Sequence, residues 1–279
     1  MRSQNPKRPP TKAIQTRESI REATRLSAKL VYEVIRRDGN EELSRPVSSL
    51  VWSGIAGGLM ISFSVLGLAL FRRYLPDTEW RPLVENFGYS FGFLLVILGR
   101  MQLFTENTIT TVIPLYHSFS LSGLARVGRL WSVVFMANLV GALIAACFMA
   151  YTSALGEPVK DIIADISNHL FDYAWYEVFV KAIPAGILIA ALVWIMPTTN
   201  SVFLVISVIT YLISLAGFSH VVAGSVEVFY LAVTGEQTFA NAILGFILPA
   251  LLGNVIGGTA IFTLMAWGQV KNEKLVERD

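Results

Sequence analysis

The chain predicts an all-α integral membrane protein, with six transmembrane helices in two inverted three-helix repeats and the second and fifth helices broken. Three observations carry that prediction. Of the 279 residues, 54% are hydrophobic and only 15% charged, whereas a soluble chain carries roughly 25% charged residues. Polar stretches, the second of them containing glycines, interrupt two apolar runs at membrane depth. An Asn-apolar-apolar-Gly sequence also occurs once in each half, at nearly the same distance beyond each interruption.

Residues 1–18 read as a disordered basic cytoplasmic tail, with Arg2, Lys7, Arg8, Pro9, Pro10 and Lys12. Ser19-Ile20-Arg21-Glu22 is a capping-box sequence. It opens an amphipathic segment over residues 19–47, with Ile20, Ala23, Ser27, Leu30, Val31 and Val34 at helical spacing. Such a helix lies on the cytoplasmic interface or packs on its own membrane domain. Asp38-Gly39-Asn40 is expected to stop it. Met1 to Pro46 holds eleven Lys and Arg and no apolar h-region, so it does not read as a cleavable signal peptide.

Six apolar runs follow within residues 48–268, at about 48–71, 87–115, 127–152, 176–196, 200–233 and 239–268, each near the roughly 20 residues that cross a bilayer. Residues 269–279 form a C-terminal tail. An even number of spans puts both termini on one side. That side carries sixteen Lys and Arg, against four on the other: Arg72, Arg73, Arg81 and Lys160. The excess of basic residues predicts cytoplasmic termini in an inner membrane. The single cysteine, Cys147, lies in an apolar run and reads as a packed core thiol.

The interruptions are Gln102-Leu103-Phe104-Thr105-Glu106-Asn107-Thr108 in the second run and Ala216-Gly217-Phe218-Ser219-His220-Val221-Val222-Ala223-Gly224-Ser225 in the fifth. Unpaired backbone groups cost several kcal/mol each in hydrocarbon, so non-helical backbone survives there only when buried in protein or lining a cavity. The repeat motif is Asn138-Leu139-Val140-Gly141 in the third run and Asn254-Val255-Ile256-Gly257 in the sixth. Thr105 precedes Asn138 by 33 residues and His220 precedes Asn254 by 34. The two copies lie three spans apart, an odd number, so the second is inverted and the breaks line one central path. Small residues beside these motifs, including Gly54 and Gly58 in the first run, fit close helix packing.

Leu103-Phe104-Thr105, Gly217-Phe218-Ser219-His220 and Leu252-Gly253-Asn254-Val255-Ile256-Gly257-Gly258 resemble the formate/nitrite transporter family over residues 48–268. The resemblance implies an aquaporin-like protomer with its own pore, a homopentamer, and passage of small monovalent anions such as formate, nitrite or hydrosulfide. By matching motif it implies that Phe104 and Thr105 sit in a mobile loop at the constriction, with Leu103 beside them, and that His220 stands at the pore centre next to Phe218. It also implies that Ile213 replaces one constriction aromatic, with Tyr89 and Phe93 at the other. This chain departs from the family pattern at Arg100-Met101-Gln102, at Glu106, at Gly224 and at Ala185-Gly186-Ile187. It lacks the outer-mouth lysine near His169-Leu170.

Arg100, Glu106, Lys181 and Glu227 are ionisable residues inside spans, which makes them candidates for the path by position. For Glu106 three readings stand: a pair with Arg100 or Lys181, a protonated carboxyl, or a change in what the pore carries. Glu177 and Lys181 have the i,i+4 spacing of a helix ion pair. Glu227 lies two helical turns beyond His220 on the same face. With an ordinary pKa near 6.5, His220 suits meeting an anion or handing it a proton. His117, His169 and His220 lack metal-ligand spacing, and no phosphate loop, catalytic triad order or nucleotide fingerprint occurs. No enzyme activity, metal, cofactor or nucleic acid is implied; the expected partners are the small anion or weak acid, membrane lipid and further copies of the chain. The alternatives are an aquaporin-like channel for a small neutral solute and a non-conducting membrane scaffold or sensor.

Overall fold

The computed structural model describes residues 26–273, so the Ser19 capping box, the rest of the basic tail and residues 274–279 lie outside the described residues. All regular structure within them is helical. Helix α1 (Ala28–Ser44) starts at Ser27, whose hydroxyl accepts the Leu30 N–H at 3.4 Å. It buries Val31, Tyr32, Ile35 and Leu43, and the Tyr32 hydroxyl donates to the Ile113 carbonyl. The buried side of α1 therefore packs on the chain itself, while Leu30 stays exposed and Ile20 and Ala23 lie outside the described residues.

Asp38-Gly39-Asn40 does not end this helix, which runs through it to Ser44. The reason is packing. A Cβ on Gly39 would lie 1.8 Å from the Thr110 carbonyl oxygen. The glycine permits α1 to press against backbone, which outweighs its poor helix propensity.

Among the described residues four continuous helices are long and apolar enough to cross a membrane: α2 (Val47–Tyr74), α7 (Leu121–Tyr151), α9 (Trp175–Ile195) and α12 (Phe239–Val270). The second span is assembled from α3 (Arg81–Glu85), a 3₁₀ turn at Asn86–Tyr89, α4 (Ser90–Leu98), α5 (Phe104–Thr110) and α6 (Val112–His117). The fifth consists of α10 (Val202–Leu215) and α11 (Val221–Thr234). Both predicted breaks are present. Between spans three and four lies α8 (Glu157–Asn168), a 12-residue amphipathic helix that buries Ile163 and Ser167.

Backbones approach where the small residues fall. A Cβ on Gly58 would sit 2.1 Å from the Asn138 carbonyl oxygen, and one on Gly141 would sit 2.2 Å from that of Ile55. The second repeat matches this. A Cβ on Gly186 would lie 2.3 Å from the Asn254 carbonyl oxygen, and one on Gly257 2.1 Å from that of Ile183. Helices held this closely gain dispersion contacts that lipid cannot supply. Large apolar side chains such as Trp52, Met136, Phe148, Val180 and Phe203 point outward, as a hydrocarbon surrounding requires.

Candidate functional site

Each break is built by the same two devices. The first half-helix ends in a left-handed residue with paired return bonds. In span two Arg100 N–H bonds Ile97 O at 3.1 Å and Met101 N–H bonds Val96 O at 3.0 Å; in span five Gly217 N–H bonds Ser214 O at 2.9 Å and Phe218 N–H bonds Ile213 O at 3.0 Å. This is the Schellman pattern, which satisfies orphan carbonyls at a helix end. Its left-handed residue is Gly217 (φ 63°) in one break and Arg100 (φ 53°) in the other.

An asparagine then ties the second half-helix to the first helix of its repeat. Asn138 Oδ1 accepts the Phe104 N–H at 2.9 Å, while its Nδ2 donates to Gly54 O at 2.8 Å and Gln102 O at 2.9 Å. Asn254 does the same with Val221 N–H at 2.9 Å, Ala182 O at 2.8 Å and Ser219 O at 2.9 Å. Both asparagines are fully buried. These bonds correct the register read from spacing. Phe104 matches Val221, so His220 corresponds to Leu103 and not to Thr105. Both Leu103 and His220 occupy the N-cap of their half-helix.

The two breaks meet at one hydrogen bond: His220 Nε2 lies 2.8 Å from Thr105 Oγ1. The other ring nitrogen, Nδ1, accepts the Ala223 N–H at 3.2 Å, which caps α11. A nitrogen that accepts carries no proton, so the neutral tautomer placed by this cap has its hydrogen on Nε2, donating toward Thr105. The Phe93 ring lies edge-on to the imidazole with centroids 4.9 Å apart, and Tyr89 follows Phe93 at 5.3 Å.

On the face away from α1, a cavity of about 210 Å³ opens toward His220. Tyr89, Phe218, Gly224, Glu227 and Phe246 are among the residues that line it, and Arg72, Glu85 and His169 line it as well. The Phe246 ring fills the space beside Gly224, where a Cβ would come within 2.3 Å of it. Phe246 and the covering helix α8 were not among the residues the sequence singled out. The weak signals were a glycine inside an apolar half-helix and an amphipathic stretch between spans.

The remaining predicted residues divide. Leu103 and Ile213 are fully buried in the core. The Phe104 ring packs on Trp131 and Phe135 of α7, with centroids at 5.7 and 4.9 Å. Arg100 is exposed, and no ion pair joins it or Lys181 to Glu106 among the described residues. Glu106 is half-buried, with Oε1 shielded and without a hydrogen-bond partner. The Glu177–Lys181 pair does not form. Glu177 instead accepts the free Ala174 N–H at the start of α9 at 2.7 Å, where a helix N-terminus favours an anion. Lys181 turns over the Tyr173 ring, 4.2 Å from its centroid. Gln102 links the first break to α1, donating to Glu42 at 2.7 Å and accepting from Asn107 at 3.0 Å.

Residues 29–268 match the family model described as formate/nitrite transporter. The chain is 39% identical to the inner membrane protein YfdC of Escherichia coli, over 88% of this chain and 80% of that protein. It is 25% identical to the formate channel FocA of Haemophilus influenzae, over 77% and 84% of the two chains. In three dimensions it resembles a pentameric formate channel solved with formate bound, with a TM-score of 0.71 at 21% identity, over 81% of this chain and 98% of that one. The chain belongs to the formate/nitrite transporter family.

Proposed function

We propose that this protein is a homopentameric channel of the inner membrane, with cytoplasmic termini, that passes small monovalent anions or their weak acids along the line joining Thr105 and His220. One observation carries the reading. The breaks of two inverted repeats meet at a polar contact, Thr105 to His220, and His220 lines the cavity that opens toward it. The family membership, the formate-channel relative and the excess of basic residues on the terminal side support it. Residues 48–268 form the channel domain, and α1 lies on its cytoplasmic face.

The chemistry follows from the tautomer. Nε2–H is a hydrogen-bond donor placed where a small anion or acid replaces the Thr105 hydroxyl. A neutral imidazole is a poor proton source, so the proton that accompanies a weak acid enters from the vestibule water. Phe93 and the apolar walls keep the passage dry, which disfavours a bare charge and favours the proton-paired species. Flux of a weak acid therefore rises as external pH falls.

Proteoliposomes given formate, nitrite, hydrosulfide, acetate and glycerol test the reading. Formate or another weak-acid anion should enter faster at lower external pH. His220→Ala removes the Nε2–H donor, worth about 1 kcal/mol to the solute, together with the Nδ1 cap of α11; it should slow flux by about fivefold and leave the rise at low pH in place. Glycerol flux alone would make the protein a neutral-solute channel. That second reading draws on Glu106 and Glu227, two carboxyls within the spans that form no ion pair among the described residues. No flux of any solute would favour the scaffold reading.

A further inference from the structure

One turn from His220, the cavity wall is made by a glycine and an aromatic ring that fit each other. The Gly224 N–H donates to the His220 carbonyl at 2.9 Å, so Gly224 lies a single turn further along α11 on the histidine's face. Opposite it, the Phe246 ring of α12 lies against bare backbone. A Cβ on Gly224 would come 2.3 Å from Phe246 Cζ and 2.4 Å from Cε1, the far edge of the ring. Phe246 is 1% exposed and lines the cavity, so protein holds the ring on its other sides. Phe218, another aromatic of the cavity wall, is only half-buried. The turn that carries Phe246 is also wound wide. Pro249 has no N–H for the Gly245 carbonyl, and Ala242–Ile247 form a π-helical turn. Such turns frequently mark the places where a helix serves a site.

We propose that Phe246, seated on Gly224, sets the upper size limit of the solute: it admits formate-sized anions and acids to His220 and turns away carboxylates with a longer carbon chain. This rests on the reading of the protein as an anion or weak-acid channel. The argument is steric. The cavity of about 210 Å³ has room for several molecules the size of water, at about 30 Å³ each, so its outer part does not limit the solute. A solute moving along α11 from Glu227 toward His220 passes the Phe246 ring before it reaches Nε2. A ring enclosed in a close-packed interior cannot swing aside without displacing its neighbours. One methylene too many in an apolar pocket is worth about 10- to 200-fold in discrimination. Charge plays no part in this limit, which acts alike on an anion and on its neutral acid.

The test gives the full-length protein in proteoliposomes formate, acetate, propionate and butyrate at one external pH, with uptake by empty vesicles subtracted. In the wild type, uptake should fall steeply along the series. Phe246→Ala leaves space that the surroundings fill only in part, so it should raise propionate uptake relative to formate by about tenfold or more. Gly224→Ala sets a methyl group against the ring and should lower the same ratio. In the Phe246→Ala background it should change the ratio little, because its partner is gone. A loss of packing alone would change all four rates together and leave their ratios unmoved. Phe246→Leu reads the same ratio with a smaller loss of volume, should Phe246→Ala not assemble on gel filtration. Assembled Phe246 variants that keep the wild-type ratio would overturn the proposal and leave channel function standing. So would a wild-type protein that takes up butyrate as fast as formate, a comparison that needs no variant to fold. Absence of formate uptake in the wild type would overturn this proposal together with the channel reading beneath it.

Discussion

The two helix breaks share a scaffold and differ in nearly every side chain they present. Each is closed by a Schellman end and tied by a buried asparagine with three hydrogen bonds. Yet the break in span five holds Gly217, Ser219 and His220 against an open cavity, whereas the break in span two holds Arg100, Gln102 and Leu103 beneath α1. The comparison separates two kinds of constraint. Backbone groups at membrane depth must be satisfied in both halves, so the devices that satisfy them repeat. Nothing requires the side chains facing the path to repeat, and there the halves have diverged.

The asparagines offer the strongest way to break the comparison. Asn138→Leu strands the Phe104 N–H and the Gln102 carbonyl, and Asn254→Leu strands the Val221 N–H and the Ser219 carbonyl. At roughly 1–3 kcal/mol for each unsatisfied buried group, either variant should lose about 3 kcal/mol or more. Thermal unfolding in detergent, read alongside assembly on gel filtration, measures it. Equal losses would confirm that the two halves are equivalent supports. A loss confined to Asn254 would show that only the histidine-bearing break needs its tie.

Much of this was legible because hydrocarbon leaves few solutions. Gly217, Ser219 and His220 inside an apolar run have no role in a plain transmembrane helix, and Asn138 and Asn254 at matched distances announced the repeat. The register was less legible. Counting from Thr105 and from His220 gives spacings that differ by one, and only the hydrogen bonds show which residue takes each N-cap. Gly39 misled for a related reason. A glycine reads as a helix stop by propensity, and its partner, the Thr110 carbonyl, lies 71 positions away along the chain. The same holds for the hold of Gln102 on Glu42 and for Phe246 beside Gly224: long-range contacts leave no local periodicity to find.

A second, smaller test compares the close helix crossings. Gly58→Ala drives a methyl group into the Asn138 carbonyl and Gly186→Ala does the same at Asn254, with Cβ–O separations of 2.1 and 2.3 Å before relaxation. Backbone cannot swing aside as a side chain can, so each should cost about 2 kcal/mol by forcing helices apart. Matched shifts in unfolding temperature are the expected result. A much smaller shift at Gly186 would show that the second repeat is the looser of the two.

The smallest effect is expected where the halves differ in backbone chemistry. Arg100 occupies the left-handed position that Gly217 fills in the other break, and a side chain there costs roughly 1 kcal/mol or more. Arg100→Gly should relieve that strain and stabilise the fold by about that amount, less the glycine's greater freedom when unfolded. The side chain offers one compensation. Burial holds the Asp38 carboxyl of α1 above its ordinary range, and the nearby Arg100 guanidinium opposes that shift. At pH below the Asp38 titration the carboxyl is neutral and Arg100 contributes nothing to it, so the gain from glycine is at its fullest. As pH rises through that titration the ionised Asp38 is stabilised by Arg100 in the wild type alone, and the gain shrinks. Unfolding temperatures of wild type and Arg100→Gly at mildly acidic and at alkaline pH should therefore converge as pH rises, and Asp38→Asn in both backgrounds should abolish the convergence. A pH-independent gain would assign Arg100 no electrostatic role toward α1 and leave the strained arginine without a structural purpose.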